Sequence, residues 1–498
     1  MSGSIYVPPV IGMSDLVVAA VDASAYARAR AQLRCDGTND QAQINEALEA
    51  GGHVRLTAGT FTGGSPVLVP SGCWLSGAGV ATILTLANDV DDSIIENASH
   101  AEGNANITIS DLCLEGNSAN NNVEFSSGIH LQKVDGFQLR NVTAHDTYGY
   151  AIRLGVCENG NVKDCLLQNS GYGGGLVIAT ADTVLLSGLI IIDNTTGAGY
   201  GIYADSTTDL HLIGCRVLGN KDEALAFTTS AIRPQIIGGR YGDSSTGGGC
   251  HAGAGTVDML AMGASFSGCA LYGMKLECDI PEAVHPGTTK LIGCDFNDNG
   301  DEGLQLYNDD VIVKGCGFQG NGERGIRTYY RTPTRLQIVN NFFRNNSQSG
   351  SFPHLEMDNT TNSRIIGNTF LDDQSTKTVT YAIKENATCS GNVIERNYLG
   401  DMKTAKLSVQ AATVVRKNIN YVTSNSGTAT VDNGATYVDV THGLEITPSA
   451  ARIHLTATNN LGDASHYWVS DIGATTFRIN VDADPGATTA TFAWEITD

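Results

Sequence analysis

The sequence predicts an all-β fold: a parallel β-helix of about 12 coils with an N-terminal capping helix and a small C-terminal β-sandwich. Two sets of recurring segments predict the coils. One set carries a fixed Cys or Asn, and the other alternates apolar and variable residues. Composition agrees, since 58 of the 498 residues are glycine, only 11 are proline and 16% are charged. This composition argues against long charged helices.

The first set of segments shares a position that follows two apolar residues and a small turn. It includes VKDCLLQNS, LIGCRVLGN, LIGCDFNDN, VKGCGFQGN, IVNNFFRNN and IIGNTFLDD. The shared position is held by Cys165, Cys215, Cys294, Cys316, Asn341 and Asn368, with Asn141 and Asn397 as further members and Gly239 and Ala264 filling gaps. It recurs about every 24 residues, a period typical of stacked β coils. We expect an internal ladder of unpaired thiols and stacked amides, without disulfides.

The second set of segments alternates inward apolar and outward variable residues, which is the period of two of a β-strand. It includes GIHLQ, AIRLG, GIYAD, GMKLE, GLQLY and GIRTY. Coils stack about 4.8 Å apart, so outward residues should form a ladder. The expected ladder is His130, Arg153, Val177, Tyr203, Ala226, His251, Lys275, Gln305, Arg327 and Glu356, and a second ladder two residues further along ends in Glu277, Tyr307, Tyr329 and Asp358. The second half of this face has the density of acids, bases and aromatics that a sugar site needs.

The two ends of the chain differ from the repeats. Residues 36–61, DGTNDQAQINEALEAGGHVRLTAGTF, predict a turn, a short helix and a first strand, with Thr38, Asn39 or Asp40 as the helix cap. Ile44 and Leu48 give that helix an apolar face that could cover the open first coil. Composition changes near Tyr421, where strands alternate with Gly, Asn and Asp-Pro-Gly turns. We therefore expect an N-terminal arm over residues 1–30, a β-helix over 31–420 and a β-sandwich over 421–498.

Charge and hydropathy restrict the partners. The net charge of −22 argues against nucleic acid and disfavours polyanions, whereas a neutral glycan meets no such barrier. No apolar run approaches the roughly 20 residues of a membrane span. The first residues, MSGSIYVPPVIG, lack the basic and apolar regions of a secretory signal, which leaves a cytoplasmic or a virion-associated product as expectations.

The N-terminal motifs carry a family resemblance. Asp36-Gly37-x-x-Asp40, followed by Ile44, Ala47-Leu48, a VRLTAGTF strand and a WLSGAG turn, resembles the pectate-lyase-like right-handed β-helix superfamily over roughly residues 30–420. That superfamily includes polysaccharide lyases, mannuronan C5-epimerase modules and phage tailspike depolymerases. The resemblance implies a right-handed helix, a polysaccharide partner and an extracellular or virion-associated location. The tail resembles phage-like C-terminal modules that cap, bind glycan or trimerise, so a homotrimer is one expected assembly.

The resemblance to mannuronan epimerases can be compared residue by residue. Those modules carry a Tyr-Gly-Phe-Asp-Pro-His-Glu run, and the corresponding stretch here is Tyr148-Gly149-Tyr150-Ala151-Ile152-Arg153-Leu154. The Tyr-Gly pair persists, but the Asp, the His and the Glu do not. The departure weighs against epimerisation by that set of residues.

Three carboxylates are candidates for acid–base chemistry. Glu277 and Asp279 are two residues apart on one strand, hence about 6–7 Å apart on one face, and Asp309 is expected beside them on the next coil. Carboxyl groups about 5 Å apart suit a retaining glycosidase, and separations of roughly 6.5–9.5 Å suit an inverting one. The alternatives are a solvated acidic edge or a Ca²⁺ site.

A second group on the same face is basic and aromatic. His251, Lys275 and Arg327 are expected near Tyr307, Tyr329 and Tyr330. Lyases and epimerases of uronic acids neutralise a carboxylate with Lys or Arg and move the C5 proton with Tyr, His or Lys. Gln305 and Tyr203 lie on the same ladder and are expected to contact the sugar. The alternative is stacking and hydrogen bonding without chemistry.

Three hypotheses follow for function. The first is a polysaccharide depolymerase that hydrolyses a glycan with Glu277, Asp279 and Asp309 as acid and base candidates and Tyr307, Arg327 and Tyr329 as sugar contacts. The second is a uronate lyase or C5-epimerase that uses Lys275 and His251 with Arg327 and Tyr307. The third is a non-catalytic glycan-binding or phage tail protein. No metal ligands are predicted, no cofactor is required, and Ca²⁺ is the one ion considered.

Overall fold

The protein is described by a computed structural model that covers residues 15–124, 126–277, 288–329 and 332–497. It is an all-β, right-handed parallel β-helix of about 14 turns, followed by antiparallel sheets at the C-terminus. The predicted fold class is therefore confirmed, with about two more turns than expected. The turns that contain Val67–Val69 and Ile95–Asn97 lack the Cys or Asn column, so the sequence repeats do not reveal them.

Two of the three faces of the helix are joined into one sheet of 29 strands, because the strands Asn104–Glu115 and Val134–His145 are long enough to belong to both. The first face also contains Leu16–Ala19, Leu33–Arg34, His53–Leu56, Trp74–Ser76, Glu158–Lys163, Asp182–Ser187, Thr208–Ile213, Gln235–Ile237, Leu260–Met262, Lys290–Ile292, Ile312–Lys314, Gln337–Val339, Arg364–Ile366, Val393–Glu395 and Val414–Arg416. The second face also contains Gly59–Gly63, Thr82–Leu86, Leu166–Gln168, Ile190–Ile192, Arg216–Leu218, Arg240–Gly242, Ser265–Ser267, Asp295–Asn297, Gly317–Gln319, Phe342–Arg344, Thr369–Leu371 and Tyr398–Leu399.

The third face is a separate parallel sheet of 14 strands. Its strands are Val67–Val69, Ile95–Asn97, Ser127–Gln132, Tyr150–Gly155, Gly174–Ala179, Tyr200–Asp205, Leu225–Thr228, Cys250–Ala252, Met274–Leu276, Leu304–Leu306, Ile326–Thr328, Leu355–Met357, Ile383–Glu385 and Leu407–Ser408. The register pairs the residues of the predicted outward ladder one after another, from His130 with Arg153 to Arg327 with Glu356. The alternation of the sequence therefore predicted this register correctly.

The predicted Cys/Asn column is an internal ladder at the corner between the first two faces. Each of the eleven cysteines that the structure describes is buried and unpaired. Asn341 donates through Nδ2 to Asn368 Oδ1 at 3.0 Å, and Asn368 repeats this contact with Asn397. Asn141 is not a member, because Thr143 pairs with Leu166 and so Val142 occupies the column beside Cys165. Asn141 lies instead at an exposed position within the long strand Val134–His145, where the backbone has a left-handed φ of 51°.

The interior of the helix contains two further ladders, each made of similar residues on successive turns. A second amide ladder joins Asn299 to Asn321 and Asn321 to Asn346, with Nδ2–Oδ1 distances of 3.0 and 2.8 Å. Aromatic rings stack with centroid separations of 4.6–5.5 Å along Tyr241, Phe266, Phe296, Phe318, Phe343 and Phe370. These buried stacks make the solenoid a packed rod that can hold surface residues in fixed positions.

The N-terminal end is closed by the predicted helix, Gln41–Glu49, which buries Ile44, Ala47 and Leu48. Asp40 occupies the N-cap position, but its carboxylate makes no capping hydrogen bond to the helix. It accepts instead from the amides of Gly37 and Thr62, both at 2.9 Å, which ties the start of the helix to the strand Gly59–Gly63. A second helix, Ala25–Arg30, precedes it. The strand Leu16–Ala19 pairs in parallel with His53–Leu56, so the sheet includes residues ahead of position 31.

The C-terminal region forms two antiparallel sheets around a core of its own. One sheet contains Asn425–Val431, Ile453–Ala457 and Ala490–Ile496, and the other contains Tyr437–Thr441, Tyr467–Ser470 and Thr476–Val481, with a 3₁₀ turn at Ala450–Arg452. Phe477 from one sheet meets Trp494 from the other edge to face at 5.6 Å. The two sheets therefore pack as a small sandwich. Among the described residues, no helix is long and apolar enough to cross a membrane.

Candidate functional site

The candidate site lies on the third face, around the outward residues of two neighbouring strands in its second half. The strands Cys250–Ala252 and Met274–Leu276 each bury two residues and turn the middle one outward, because strand side chains alternate between faces. This places His251 and Lys275 side by side on neighbouring turns. Glu277 follows directly after the second strand and continues the ladder, since its amide donates to Ala252 O at 2.8 Å.

His251, Lys275 and Glu277 form one hydrogen-bonded cluster, here called the carboxylate cluster. Lys275 Nζ lies 2.6 Å from Glu277 Oε2, and His251 Nε2 lies 3.1 Å from the same oxygen. The three side chains are 22–32% exposed, so they are accessible to a ligand and yet partly shielded from solvent. Such shielding strengthens their mutual electrostatic interaction.

The cluster separates the protonation states of its members. Burial acts to raise the pKa of Glu277, but hydrogen bonds and charge from Lys275 and His251 outweigh it, and the pKa lies below its ordinary value. Burial, together with the charge of Lys275, lowers the pKa of His251. At neutral pH the site therefore holds an ionised carboxylate beside a neutral imidazole, one of whose nitrogens is engaged by that carboxylate.

Two tyrosines extend the site along the axis of the helix. Tyr307 and Tyr329 stack with ring centroids 5.0 Å apart and an interplanar angle of 9°. Lys275 Nζ lies 5.6 Å from the Tyr307 ring centre, and the Arg327 guanidinium lies 4.2 Å from the Tyr329 ring centre. The stacked rings form an aromatic platform flanked by two cations, which suits the binding of a polar, partly apolar ligand such as a sugar.

A buried ion network supports the platform from below. The carboxylate of Glu302 is 2% exposed and accepts hydrogen bonds from Tyr329 Oη at 2.8 Å and Arg324 Nη1 at 3.1 Å. Arg324 also pairs with Glu356, whose second oxygen accepts from Lys384 Nζ at 2.8 Å. Each buried charge therefore has a partner, which such burial requires. Sequence alternation did not reveal Glu302 or Arg324, because they precede their strands and lie outside the alternating segments.

A second pair of carboxyl groups lies at the start of the strand Leu225–Thr228, the neighbour of the strand that carries His251. Burial and a hydrogen bond that protonated Asp222 donates to Glu223 raise the pKa of Asp222 to about 6. Tyr272 Oη donates to Glu223 Oε1 at 2.7 Å, which fixes this carboxyl group. The charge of Asp222, like that of Glu277, acts to raise the pKa of His251, so the imidazole senses both carboxyl groups. Alternation does not reveal Asp222, because it, too, precedes its strand.

The remaining predicted residues differ in their placement. Gln305 is 8% exposed and donates to Glu302 Oε2 at 2.9 Å, so it belongs to the buried network rather than to the surface. Asp309 Oδ1 accepts from the Thr334 amide at 2.8 Å, and its Oδ2 lies 3.7 Å from Arg335. These contacts point it towards the following turn, and no described contact joins it to Glu277. Asp279 and Tyr330 lie outside the described residues.

Tyr203 lies on the outward ladder two strands before His251 and packs against Tyr200, with ring centroids 5.2 Å apart. At the spacing of parallel strands this is about 10 Å from His251. The structure thus brings together His251, Lys275, Glu277 and Tyr307 and, through the platform, Arg327 and Tyr329. Tyr203 lies at the edge of this set.

The chain matches a known family over more than half of its length. Residues 103–257 and 283–449 match the family described as "Right handed beta helix region". Among curated protein sequences, none matches this chain.

Solved structures provide the other comparisons. The tailspike protein of E. coli bacteriophage HK620, in complex with a pentasaccharide, superposes with a TM-score of 0.54 and 12% identity, covering 92% of this chain and 90% of that one. The A-module of mannuronan C-5 epimerase AlgE6 from Azotobacter vinelandii superposes with a TM-score of 0.45 and 18% identity, covering 77% of this chain and 96% of that one. At 12% identity the likeness to the tailspike protein shows the shared fold alone.

Proposed function

The chain belongs to the right-handed β-helix family, and on that premise we propose that it is a polysaccharide depolymerase that hydrolyses its substrate on the third face around Glu277. The observation that carries the proposal is the carboxylate cluster, in which Lys275 and His251 hold Glu277 on an outward-facing strand end beside the Tyr307–Tyr329 platform. A held carboxylate next to an aromatic platform provides the two requirements of glycoside hydrolysis, a charged catalytic group and a surface for the sugar.

Glu277 is assigned the role of the ionised carboxylate. It acts either as the base that activates water or as the nucleophile, because its lowered pKa keeps it charged at neutral pH. The partner role requires a carboxyl group that is still protonated. Asp222 acts on the pKa of His251, and its own pKa is raised to about 6, so it keeps its proton in mildly acidic solution and is assigned this role. Two carboxyl groups with pKa values displaced in opposite directions are the usual division between a catalytic base and a catalytic acid. Asp279 and Asp309 are the other acid candidates from the sequence.

Sugar binding is assigned to the platform and its cations. Tyr307 and Tyr329 would contact the apolar patches of a sugar ring, and Arg327 would donate hydrogen bonds to its hydroxyls. Tyr330 and Tyr203 would extend this contact along the third face. Gln305 is buried beneath the platform, so its role is to position Glu302 and, through Glu302, the Tyr329 hydroxyl.

Elimination or epimerisation of a uronate is the second candidate, favoured by the state of His251. A neutral imidazole that is hydrogen-bonded through Nε2 to a carboxylate has its other nitrogen available as a base. Lys275 and Arg327 would then neutralise the carboxylate of the sugar. The net charge of −22 disfavours a polyanionic substrate, which is why hydrolysis of a less charged glycan is placed first.

The proposal extends to the setting of the protein. Hydrolysis by two carboxyl groups requires no cofactor, and Ca²⁺ is proposed only as an ion that carboxylates among Glu277, Asp279 and Asp309 would bind. We propose an extracellular or virion-associated location and a homotrimer, assembled with the help of the C-terminal sandwich. A non-catalytic glycan-binding role is the third candidate, and it would use the same platform without bond cleavage.

Incubation with a panel of neutral and acidic polysaccharides, with and without chelator, tests the proposal. Hydrolysis would release oligosaccharides with new reducing ends and no ultraviolet absorbance. Elimination would release products with a carbon–carbon double bond that absorbs in the ultraviolet, and epimerisation would change the sugar without shortening the chain. Glycan binding without any product would favour the binding role. Size analysis of the purified protein tests the trimer.

A further inference from the structure

Three metal-ligating side chains meet near the N-terminal end of the third face, in a part of the molecule that the proposed function does not use. Glu96 lies on the strand Ile95–Asn97, and His130 is its register partner on the next turn. His100 follows four residues after Glu96, in the turn that leaves the strand. Six rungs of the outward ladder separate His130 from Lys275, a distance of roughly 29 Å at the spacing of parallel strands.

The three groups converge on a small volume. Glu96 Oε1 lies 3.4 Å from His130 Nδ1, and Glu96 Oε2 lies 3.8 Å from His100 Nε2. The two imidazole rings are 4.5 Å apart and tilted by 59°. One ligand atom from each residue can be chosen such that all three lie within 4.8 Å of one another. Bonds to zinc from nitrogen and oxygen are about 2.0–2.2 Å long, so an ion among these atoms requires only small side-chain movements.

The imidazoles carry unused donors or acceptors. Nε2 of His100 and Nε2 of His130 are both buried, and neither has a hydrogen-bond partner among the described residues. A buried polar nitrogen without a partner is costly, and such groups call for a water molecule, an ion or a functional explanation. Two such nitrogens lie side by side next to the Glu96 carboxylate. A ligand that both bind explains them better than two unrelated unsatisfied groups.

The turn that carries His100 is firmly held, so the arrangement does not depend on a loose loop. Asn97 Nδ2 donates to Ser99 O at 3.0 Å and to Asn104 Oδ1 at 2.9 Å, and it also reaches Gln132 O at 3.0 Å. Asn104 Oδ1 accepts from the Ser99 amide as well, at 2.8 Å. Lys133 Nζ donates to Ala101 O at 2.8 Å. A site whose ligands are positioned in advance loses little entropy when it binds an ion.

The directions of the pKa shifts of Glu96 and His100 agree with the geometry of the cluster. Burial acts to raise the pKa of Glu96, but the two histidines outweigh it and the pKa is lowered. Burial lowers the pKa of His100. Metal ions bind neutral imidazole and ionised carboxylate, so no proton needs to leave either group on binding. Asp92 and Arg153 are the other charged groups that face the histidines. The charge of Arg153 acts to lower the pKa of His100. Burial raises the pKa of Asp92, and the two histidines act to lower it.

We propose that Glu96, His100 and His130 form a binding site for a divalent transition-metal ion. Two imidazoles and one carboxylate are the ligand set of borderline ions such as Zn²⁺, whereas Ca²⁺ and Mg²⁺ prefer six or more oxygen ligands. Three protein ligands leave at least one coordination position for water or for an oxygen of a bound glycan. The site also joins two turns of the helix, so an ion there would stabilise the N-terminal end of the third face.

Calorimetric titration of Zn²⁺ into untagged, chelator-treated protein tests the proposal, with Co²⁺ absorbance in the visible as a second readout. We expect one site per chain, no comparable binding of Ca²⁺, and a higher melting temperature in the presence of Zn²⁺. The variants Glu96→Gln, His100→Ala and His130→Ala should each weaken binding by more than the roughly 10-fold that the loss of a supporting contact costs.

The control variant is His454→Asn, which removes an exposed histidine in the C-terminal sandwich and should leave the Zn²⁺ affinity unchanged. Glu96→Gln keeps the shape of the side chain, so it separates loss of a ligand from loss of folding, and its melt without metal should resemble that of the parent. If the parent protein does not bind Zn²⁺, or if all three ligand variants bind it as tightly as the parent, the proposal is wrong. Neither result depends on the activity assay for the third face.

Discussion

Lys275 donates to Glu277 across 2.6 Å between Nζ and Oε2, and both residues lie on the outward side of the third face with the buried Leu276 between them. The contact joins residues that alternation places on the same side of a strand. It fixes the carboxylate and stabilises its charge, which is the state that a catalytic base or nucleophile needs. The activity of the site should therefore depend on Glu277 more than on any other member of the carboxylate cluster.

Substitution of Glu277 should separate hydrolysis from elimination. Under hydrolysis, Glu277→Gln should lower turnover about 10²-fold or more, because it removes a proton-transfer or nucleophilic role, and Lys275→Ala should cost less. Under elimination, loss of Lys275 or His251 should cost more than loss of Glu277. Initial rates on the glycan that the parent protein degrades provide the measurement. Asp439→Asn, which breaks an exposed ion pair with Arg478 in the C-terminal sandwich, should leave the rates unchanged.

The pH profile should reflect the two displaced carboxyl groups. Asp222 is protonated below about pH 6, so general-acid catalysis by it should decline above that value. Glu277 has a lowered pKa and stays ionised into moderately acidic solution. The acidic limb of the pH–rate profile should therefore lie below the ordinary pKa of a glutamate. Between these limits kcat/KM should pass through a maximum.

Glu223→Gln provides a sharper version of the pH experiment. Burial is the largest cause of the raised pKa of Asp222, and the hydrogen bond and charge of Glu223 add to it. Removing that charge should move the alkaline limb to lower pH, whereas Asp222→Asn should remove most of the activity. An alkaline limb that stays at the same pH in both variants would contradict the assignment of Asp222 as the acid.

The amide ladder should contribute measurably to the stability of the β-helix. Asn368 Oδ1 accepts from the backbone amide of Asn341 at 2.9 Å and from its side chain at 3.0 Å, and Asn368 Nδ2 donates to Ile338 O at 2.8 Å. Asn368→Ala leaves these buried groups without partners, so unfolding free energy should fall by about 2–3 kcal/mol. Chemical denaturation measures it, with the exposed Asn433→Ala as the control. Equal denaturation midpoints for Asn368→Ala and Asn433→Ala would show that the amide ladder adds nothing to the stability of the β-helix.

The β-helix should fold without the C-terminal sandwich. It has its own core, which includes Phe477 and Trp494, and its link to the last turns includes hydrogen bonds from Tyr421 and Lys406 to Glu445. A chain that ends near Asn420 should retain a cooperative melt of the β-helix. Its melting temperature should be lower, because Val415 and Leu407 at the last turns lose cover. Failure of the shortened monomer to fold would show that the boundary is misplaced.

Alternation and repetition predicted the fold and the outward ladder because each has a physical period. A strand turns every second residue outward, so the order from His130 to Glu356 could be derived from the sequence and agrees with the register. The same rule placed His251 beside Lys275. Asn141 was assigned one position from the true column residue, Val142, because in the sequence an exposed asparagine at a left-handed position of the strand resembles an asparagine in the ladder.

Residues outside the strands could not be placed by that rule. Asp222 and Glu302 precede their strands and Asp309 follows its strand by three residues, so their directions depend on the turns. The turn carries Asp309 towards Thr334 rather than towards Glu277. The cluster of Glu96, His100 and His130 was missed for a related reason. It combines two strands with a turn, and ligands that meet only in space leave no spacing motif in the sequence.

Product analysis on a panel of polysaccharides tests the central claim most directly. The parent protein should release oligosaccharides with new reducing ends from one glycan of the panel, without ultraviolet-absorbing double bonds, and Glu277→Gln should abolish the release while still binding that glycan. If Glu277→Gln still binds the glycan, sugar binding depends on the platform and bond cleavage depends on Glu277, within one site. A parent protein that binds glycan but yields no shortened, unsaturated or epimerised product would contradict the assignment as an enzyme.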